Sequence, residues 1–172
     1  MARLDRTVRR VARRLAESGL SVALAESCTG GLFAGALTAV PGSSAWFRGG
    51  VVAYANDVKV GVLGVRRSTL VRDGAVSESV AAQMAAGARR VMKADIGVGI
   101  TGIAGPGGGT AAKPVGLVYV ATATARSGSV RRFRFAGGRA AVRGRAVKAA
   151  LAMMGSAAGG NKHHGKEDQR RQ

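Results

Sequence analysis

Two apolar runs flank the stretch Ala25-Glu26-Ser27-Cys28-Thr29-Gly30-Gly31, which decides how the rest of the chain is interpreted. The run before it, 22–25, is short and typical of a buried strand, whereas the run after it, 32–37, has helical spacing. The stretch is therefore predicted to be a strand–turn–helix junction. Unpaired N–H groups at a helix N-terminus can hold a phosphate or stabilise an oxyanion. The alternative, more common in general, is that Ser27 or Thr29 only caps the helix.

The composition indicates one folded domain with a core of small side chains. The chain has 172 residues, of which 47% are hydrophobic and only 4% aromatic. No apolar run reaches the length of a membrane span, and the basic N-terminus lacks the apolar segment of a signal peptide, so a cytoplasmic protein is expected. A single Cys28 excludes an internal disulfide, and His163-His164 stand alone. We therefore expect no metal and no cofactor.

The formal charge of +18 is concentrated in two segments. Residues 126–148 carry eight basic side chains and no acidic one, and residues 1–19 carry a net charge of four. Such a balance is compatible with nucleic-acid binding or with a solvated basic surface. Because aromatic residues near these arginines are limited to Phe133 and Phe135, we expect any nucleic-acid binding to be weak and non-specific.

The pattern of apolar residues predicts an α/β domain with a mixed sheet. A first helix ends near Gly19, and Ser77 is expected to cap a long helix. Ser68 is expected to cap a short one. The predicted ranges are helices 29–40, 78–92 and 139–154, a short helix containing Lys59, strands 21–25, 51–54 and 96–101, and a hairpin of strands 115–123 and 130–135. Residues 1–154 form the predicted domain, and 155–172 the predicted disordered basic tail.

A second polar segment is expected at the same edge of the sheet as Ser27. The glycine-rich loop 102–110 follows the strand 96–101 directly. Open α/β sheets bind their ligands at the carboxyl ends of their strands. Two polar loops that meet at this edge favour a binding or catalytic site there. No lysine of the Walker type follows the loop, so a nucleoside-triphosphate P-loop is not predicted.

Six short motifs follow one another along the chain. They are Ala25-Glu26-Ser27-Cys28-Thr29-Gly30-Gly31, Val40-Pro41-Gly42-Ser43-Ser44, Tyr54-Ala55-Asn56-Asp57-Val58-Lys59, Gly74-Ala75-Val76-Ser77, Thr101-Gly102-Ile103-Ala104-Gly105-Pro106 and Lys113-Pro114-Val115-Gly116. In this order they resemble the CinA C-terminal domain family, which includes stand-alone nicotinamide-nucleotide amidases of the PncC type. The resemblance covers roughly residues 5–153.

The resemblance implies a three-layer α/β/α sandwich and an amidase. Such an enzyme hydrolyses nicotinamide mononucleotide to nicotinic acid mononucleotide and ammonia, without a metal and commonly as a homo-oligomer. By resemblance the nucleophile is Ser27 and its base is Lys59, five residues after Tyr54. The chain departs from the family at Gly137-Gly138-Arg139, where Gly-Asp-Arg is frequent, which puts any role of an acid there in doubt. The large amino-terminal domain of full-length members is also absent, as in the stand-alone form.

The chemistry of a serine nucleophile restricts the choice of base. Both histidines lie in the predicted tail, so a Ser-His-Asp triad is not expected. A lysine replaces histidine only if burial or nearby positive charge lowers its pKa. Lys59 lies between two valines, although an exposed helix lysine is the commoner case. Tyr54 can relay a proton or orient Lys59, or it can be a strand residue with its hydroxyl at the surface. Cys28 is a rival nucleophile, ranked below Ser27.

The remaining candidates concern substrate binding. Glycines allow the main chain to approach a ligand closely. Arg139 and Arg143, one helical turn apart, can clamp a 5′-phosphate or belong to an exposed basic face. Glu26 can hold a network, transfer a proton or pair with an arginine. The predicted substrate-binding residues are Glu26, Thr29, Gly30, Gly31, Thr101, Gly102, Gly105, Arg139 and Arg143. The alternative function is a binding module for a nucleotide or nucleic acid, without turnover.

Overall fold

The computed structural model describes residues 2–160, with side chains from Arg6 onward. This part of the chain forms six helices and five strands, and a 3₁₀ turn spans Ser43–Ala45. The helices are α1 Ala2–Glu17, α2 Leu32–Thr38, α3 Asn56–Gly61, α4 Arg67–Asp73, α5 Glu78–Val91 and α6 Arg139–Gly160. The strands are β1 Val22–Glu26, β2 Phe47–Val52, β3 Ile96–Gly102, β4 Leu117–Ala123 and β5 Gly128–Arg134.

The five strands form one mixed sheet in the order β2-β1-β3-β4-β5. β1 runs parallel to both β2 and β3, and Glu26 at its end lies opposite Val52 and Ile100. β4 and β5 are the antiparallel hairpin that the sequence predicts. Because the three parallel strands end at the same edge, the segments after Glu26, Val52 and Gly102 meet there. This edge carries the candidate site.

Helices cover both faces of the sheet, which confirms the α/β sandwich. On one face, α1, α2 and α6 pack over Leu24, Val98 and Val120 in the larger core. On the other, α5 packs over the alternating residues of the same strands, among them Ala23 and Ala25. The packing depends on small residues, as the composition predicts. A Cβ at Gly99 would lie 2.4 Å from the carbonyl oxygen of Ala81 in α5.

Three predicted boundaries near the site are wrong. α2 begins at Leu32 and not at 29, because Gly30 and Gly31 have φ values of +58° and +87°, which are incompatible with a helix. β2 starts at Phe47 and ends at Val52, so Tyr54 lies beyond the strand. The short helix α3 ends at Gly61, three residues before Gly64, where the predicted helix ended.

The predicted disordered tail is partly wrong, because α6 continues to Gly160. Its extra turns are buried against α1: a Cβ at Gly155 would lie 3.1 Å from Val11, and Ala158 is buried. The glycines and alanines that suggested disorder therefore serve as the contact surface between two helices. Residues 161–172 of the predicted tail, including both histidines, lie outside the described residues.

One predicted helix cap is confirmed and another is wrong. Ser77 caps α5, as predicted, since its hydroxyl accepts a hydrogen bond from the N–H of Val80. Ser68 does not cap α4, because the helix begins at Arg67 and Arg66 occupies the cap position. Val91, the last residue of α5, is half exposed. None of the helices within residues 2–160 combines the length and the apolar character needed to cross a bilayer.

Candidate active site

The turn that contains Ser27 is fixed to the carboxyl edge of the sheet by main-chain hydrogen bonds. The N–H of Ser27 donates to Ile100 at 2.9 Å, and the N–H of Ala53 donates to Glu26 at 2.8 Å. The turn closes through the N–H of Gly30, which donates to the carbonyl oxygen of Ser27 at 3.0 Å. Ser27 thus sits directly where β1, β2 and β3 end.

Glu26, and not Ser27 or Thr29, caps α2. Its buried carboxylate accepts hydrogen bonds from the N–H groups of Gly31 and Phe33, both at 3.1 Å, and of Ala34 at 2.8 Å. The last residue of β1 therefore satisfies three of the donors at the start of the next helix. These N–H groups are not available to a phosphate, which corrects the expectation that the free end of α2 binds one. The helix terminus instead stabilises a buried negative charge.

The Ser27 hydroxyl is free of protein partners. The side chain is 9% exposed, and its Oγ forms no hydrogen bond with any other described residue. The N–H groups of Cys28 and Thr29 donate to no main-chain carbonyl or side-chain oxygen in the described part of the chain. N–H groups that follow a nucleophile and donate to no oxygen can serve the oxyanion of acyl transfer. Of the two, the N–H of Cys28 is directed at its own thiol.

Lys59 is the least expected feature of the site, because its side chain is only 1% exposed. Its Nζ donates a hydrogen bond to the carbonyl oxygen of Tyr54 at 3.0 Å, and no carboxylate among the described residues forms a salt bridge with it. Burial lowers the pKa of Lys59, and the Cys28 thiol, which interacts with it electrostatically, acts in the opposite direction. The interpretation of Lys59 as an exposed helix lysine is therefore wrong.

Tyr54 contacts two other candidates with two different atoms. Its carbonyl oxygen accepts from Lys59, whereas its hydroxyl accepts from the Nη2 of Arg139 at 2.9 Å. The side chain is 57% exposed, in line with the alternative that the tyrosine hydroxyl lies at the surface. The main chain of Tyr54 therefore holds the amine of Lys59, and its exposed hydroxyl is held by Arg139.

Arg139 is exposed and Arg143 is half-buried, and both guanidinium groups donate hydrogen bonds to loops beside Ser27 and Tyr54. Arg139 donates from Nη1 to the carbonyl oxygen of Gly105 at 2.9 Å, in addition to its bond with Tyr54. Arg143 donates from Nη2 to the carbonyl oxygen of Thr29 at 2.7 Å. The Nε of Arg143 and the hydroxyl of Thr29 are both buried without a partner among the described residues. Both atoms have almost no exposed surface, so a ligand would reach them only after a local movement of the turn.

The glycine-rich loop is packed closely against the end of β4. A Cβ at Gly102 would lie 2.7 Å from the carbonyl oxygen of Leu117, and one at Gly105, where φ is +82°, would lie 2.6 Å from Val115. The buried hydroxyl of Thr101 donates to the carbonyl oxygen of Ala75 at 2.8 Å. Thr101 and the two glycines therefore shape the wall of the site.

Cys28 is a buried thiol in an unfavourable setting for a nucleophile. It is 5% exposed, and burial raises the pKa of its thiol to about 11, with the nearby Glu26 carboxylate acting in the same direction. The thiol is therefore protonated near neutral pH, and a thiol is far less nucleophilic than a thiolate. Residues 2–160 also bring together no group of three His, Cys, Asp or Glu side chains suited to a metal ion.

Sequence reasoning placed most of these residues at the site but missed how they are joined. The predicted catalytic residues Ser27, Lys59 and Tyr54 all lie at the carboxyl edge of the sheet. The side chains of Arg139 and Tyr54 form a hydrogen bond although the residues lie 85 positions apart, so no local sequence pattern predicts this contact. The capping role of Glu26 was missed because Ser27 and Thr29, which are common cap residues, stand nearer to the predicted helix start.

These features define an α/β sandwich protein in which Ser27, Tyr54 and the buried Lys59 lie at the carboxyl edge of the sheet. Residues 4–158 match the sequence model of the CinA C-terminal domain. The chain belongs to the CinA C-terminal domain family. It spans about a third of the length of the curated relatives that it matches.

Individual relatives and solved structures agree with this assignment. A CinA-like protein of Thermosynechococcus vestitus is 56% identical over 130 residues, which cover 75% of this chain and 31% of the relative. One from Geobacter sulfurreducens is 54% identical over 133 residues, covering 77% and 32%. The crystal structure of the competence/damage inducible protein CihA from Agrobacterium tumefaciens superposes with a TM-score of 0.88 at 46% identity, covering 90% of this chain and 94% of that one. A CinA superfamily protein of Klebsiella pneumoniae has the same TM-score at 38% identity, with 91% and 98% covered.

Proposed function

We propose that the chain is an amidohydrolase that converts nicotinamide mononucleotide to nicotinic acid mononucleotide and ammonia, with Ser27 as nucleophile and Lys59 as base. The observation that supports this most directly is the burial of Lys59 without a carboxylate partner. A buried ammonium is costly unless it is paired, so the environment favours the neutral amine that a general base must be. A lysine kept in this state for structural reasons alone would be an unnecessary cost to stability.

The reaction proceeds in two steps that balance in protons. Neutral Lys59 accepts the hydroxyl proton as the Oγ of Ser27 bonds to the carboxamide carbon. The C–N bond then breaks, and the proton passes from Lys59 to the leaving ammonia. Water attacks the resulting ester, its proton passes to Lys59, and Ser27 recovers a proton as the carboxylate product leaves. The N–H groups of Cys28 and Thr29 are the candidate donors to the oxyanion of each tetrahedral intermediate.

The anionic end of the substrate is assigned to the two unpartnered groups beside the Ser27 turn. The Nε of Arg143 is a charged donor, and the hydroxyl of Thr29 can donate or accept. Both are buried, so a phosphate oxygen placed there would gain a strong charge-assisted bond. Arg139 contributes less directly, because its Nη atoms already hold Gly105 and Tyr54.

The test is the release of ammonia from nicotinamide mononucleotide by the purified protein, coupled to identification of nicotinic acid mononucleotide by chromatography. Lys59→Met, which keeps the length and removes the amine, should abolish turnover, whereas Lys148→Met on an exposed face should not. Tight binding of the nucleotide without any ammonia release would favour the alternative, a nucleotide-binding module. Turnover that survives in Lys59→Met would remove the lysine from the mechanism.

A further inference from the structure

The outer edge of the sheet on the β5 side has no part in the proposed amidase activity. β5 is the last strand of the sheet and pairs only with β4 within residues 2–160. The N–H of Phe135 donates to the carbonyl oxygen of Gly116, and the N–H of Thr124 donates to that of Ser127. These two bonds show which residues of β5 form hydrogen bonds with β4. Because inward and outward positions alternate in an antiparallel ladder, the main chains of 128, 130, 132 and 134 point outward. This edge offers a row of unpaired donors and acceptors.

The two faces of this edge strand differ in chemistry. Arg132 and Arg134 project from one face, opposite Tyr119 and Leu117 of β4. Arg131 and Phe133 project from the other face, and they line a groove of about 780 Å³ between β5 and the second half of α6. The α6 side of the groove is mostly apolar and consists of Ala149, Ala152, Met153, Ser156, Ala157 and Gly160.

The charged side chains along most of this edge are positive. Residues 126–148, which contain β5 and the first half of α6, include eight basic side chains and no acidic one. Two acidic residues, Asp73 and Glu78, line a pocket beside Val130 near the start of the strand. Asp73 is engaged by Arg72 and Ser79. The outer half of β5 therefore presents positive charge without a protein counter-charge among the described residues.

We infer that the outer edge of β5 binds an extended acidic segment of a partner protein, which adds a sixth strand to the sheet. Its alternate side chains meet the two faces described above: apolar ones enter the groove beside Phe133, and carboxylates lie opposite Arg132 and Arg134. Main-chain hydrogen bonds supply affinity in this mode, and the alternation of side chains supplies specificity. The partner is thus defined by an acidic–apolar alternation over about six residues, the length of a typical strand.

Two other occupants fit this edge less well. A second copy of the chain, paired antiparallel through β5, would place arginines opposite arginines, which is destabilising. A single-stranded nucleic acid would need a free aromatic ring for base stacking. Phe133 lies between Phe135, stacked at 5.3 Å, and the guanidinium of Arg131, at 5.6 Å, so its faces are already in use. Outward carbonyl groups along the edge would also repel phosphates.

The experiment is fluorescence anisotropy with a labelled octapeptide of alternating glutamate and valine, measured on the full chain. We expect saturable binding that weakens at least tenfold in the double variant Arg132→Glu, Arg134→Glu and is unchanged in Arg67→Glu, an exposed arginine elsewhere. The same peptide N-methylated at alternate amides keeps its charge but cannot pair with a strand, so it should not bind. Circular dichroism checks the fold, and the milder Arg132→Gln, Arg134→Gln pair serves if the double glutamate variant unfolds.

Each contrary outcome decides against the inference. Equal binding of the N-methylated peptide would show attraction by charge alone. Tighter binding of a single-stranded oligonucleotide of the same net charge would assign the edge to nucleic acid. Absence of peptide binding at low salt, or dimerisation that blocks the peptide, would exclude the acidic strand as the occupant.

Discussion

The Nζ of Lys59 lies 3.0 Å from the carbonyl oxygen of Tyr54, and this is the hydrogen bond that the structure gives to the buried amine. A carbonyl oxygen can accept from the neutral or the protonated amine, but it brings no full negative charge to offset an ammonium. Burial therefore dominates and lowers the pKa of Lys59. Both the proposed catalysis and the stability of the fold depend on this relationship.

The first prediction is that activity rises with pH as Lys59 loses its proton. Only the neutral amine accepts the Ser27 proton, so kcat/KM should increase through the lowered pKa of Lys59 and then level off. Measurement of ammonia release across the pH range checks this. A profile that falls with rising pH over the same range would indicate a group that must be protonated.

The second prediction concerns stability and follows from the same shift. Between the lowered pKa of native Lys59 and its ordinary value of 10.5, the unfolded chain holds one more proton than the native one. The contribution of Lys59 to the free energy of unfolding therefore rises with pH between these two pKa values. The same stability is lost as the pH falls back to the lowered pKa. Lys59→Met should be more stable than the wild type near neutral pH and should show a flatter dependence. Urea titrations at several pH values test this, with Lys148→Met as the exposed control.

The third prediction concerns Arg143. Arg143→Ala removes the buried Nε donor that is assigned to the substrate phosphate, and it also removes the hydrogen bond to the carbonyl oxygen of Thr29. Substrate binding should therefore weaken by about 1.5–3 kcal/mol. Arg67→Ala, an exposed arginine in α4, should leave KM unchanged. Free nicotinamide, which has no phosphate, should be a poor substrate of the wild type. If nicotinamide and its mononucleotide were turned over equally, the phosphate would have no binding site here.

The periodicity of the sequence predicted the sheet, its hairpin and the edge where the site lies, because these depend on local alternation of apolar residues. It did not predict that α6 reaches Gly160, since the glycines at 155, 159 and 160 do not favour a helix by themselves. Contact with α1 at Gly155 supplies what propensity does not. It also placed the cap of α2 on Ser27 or Thr29. Whether Glu26 turns toward the helix or the ligand depends on how β1 and α2 meet in space, which local propensity does not encode.

The fourth prediction tests the role of Glu26. Glu26→Gln keeps the size but replaces one acceptor oxygen with an NH₂ group that faces N–H donors, so the free energy of unfolding should fall by about 1–3 kcal/mol. Glu17→Gln, exposed in α1, should have little effect. Thermal unfolding followed by circular dichroism measures the difference. Unchanged stability in Glu26→Gln would mean that the three hydrogen bonds contribute little, and the carboxylate would then be free for a role in the reaction.

The last prediction separates the two candidate nucleophiles. Ser27→Ala removes the oxygen that forms the ester, so turnover should fall to background, although the variant should fold, because the Ser27 side chain forms no hydrogen bond that the fold needs. Cys28→Ala removes a thiol that is protonated near neutral pH, its pKa being about 11, so most activity should remain at a small cost from the lost buried sulfur.

The double variant Ser27→Ala, Lys59→Met should be scarcely worse than either single variant, because residues that act as one unit are not additive. Ammonia release is measured for each variant after its fold is checked by circular dichroism. A folded, active Ser27→Ala beside a folded, inactive Cys28→Ala would transfer the nucleophile to the thiol. That result would also require the thiolate to form, and the pH profile would then rise toward the pKa of Cys28 and not level off at that of Lys59.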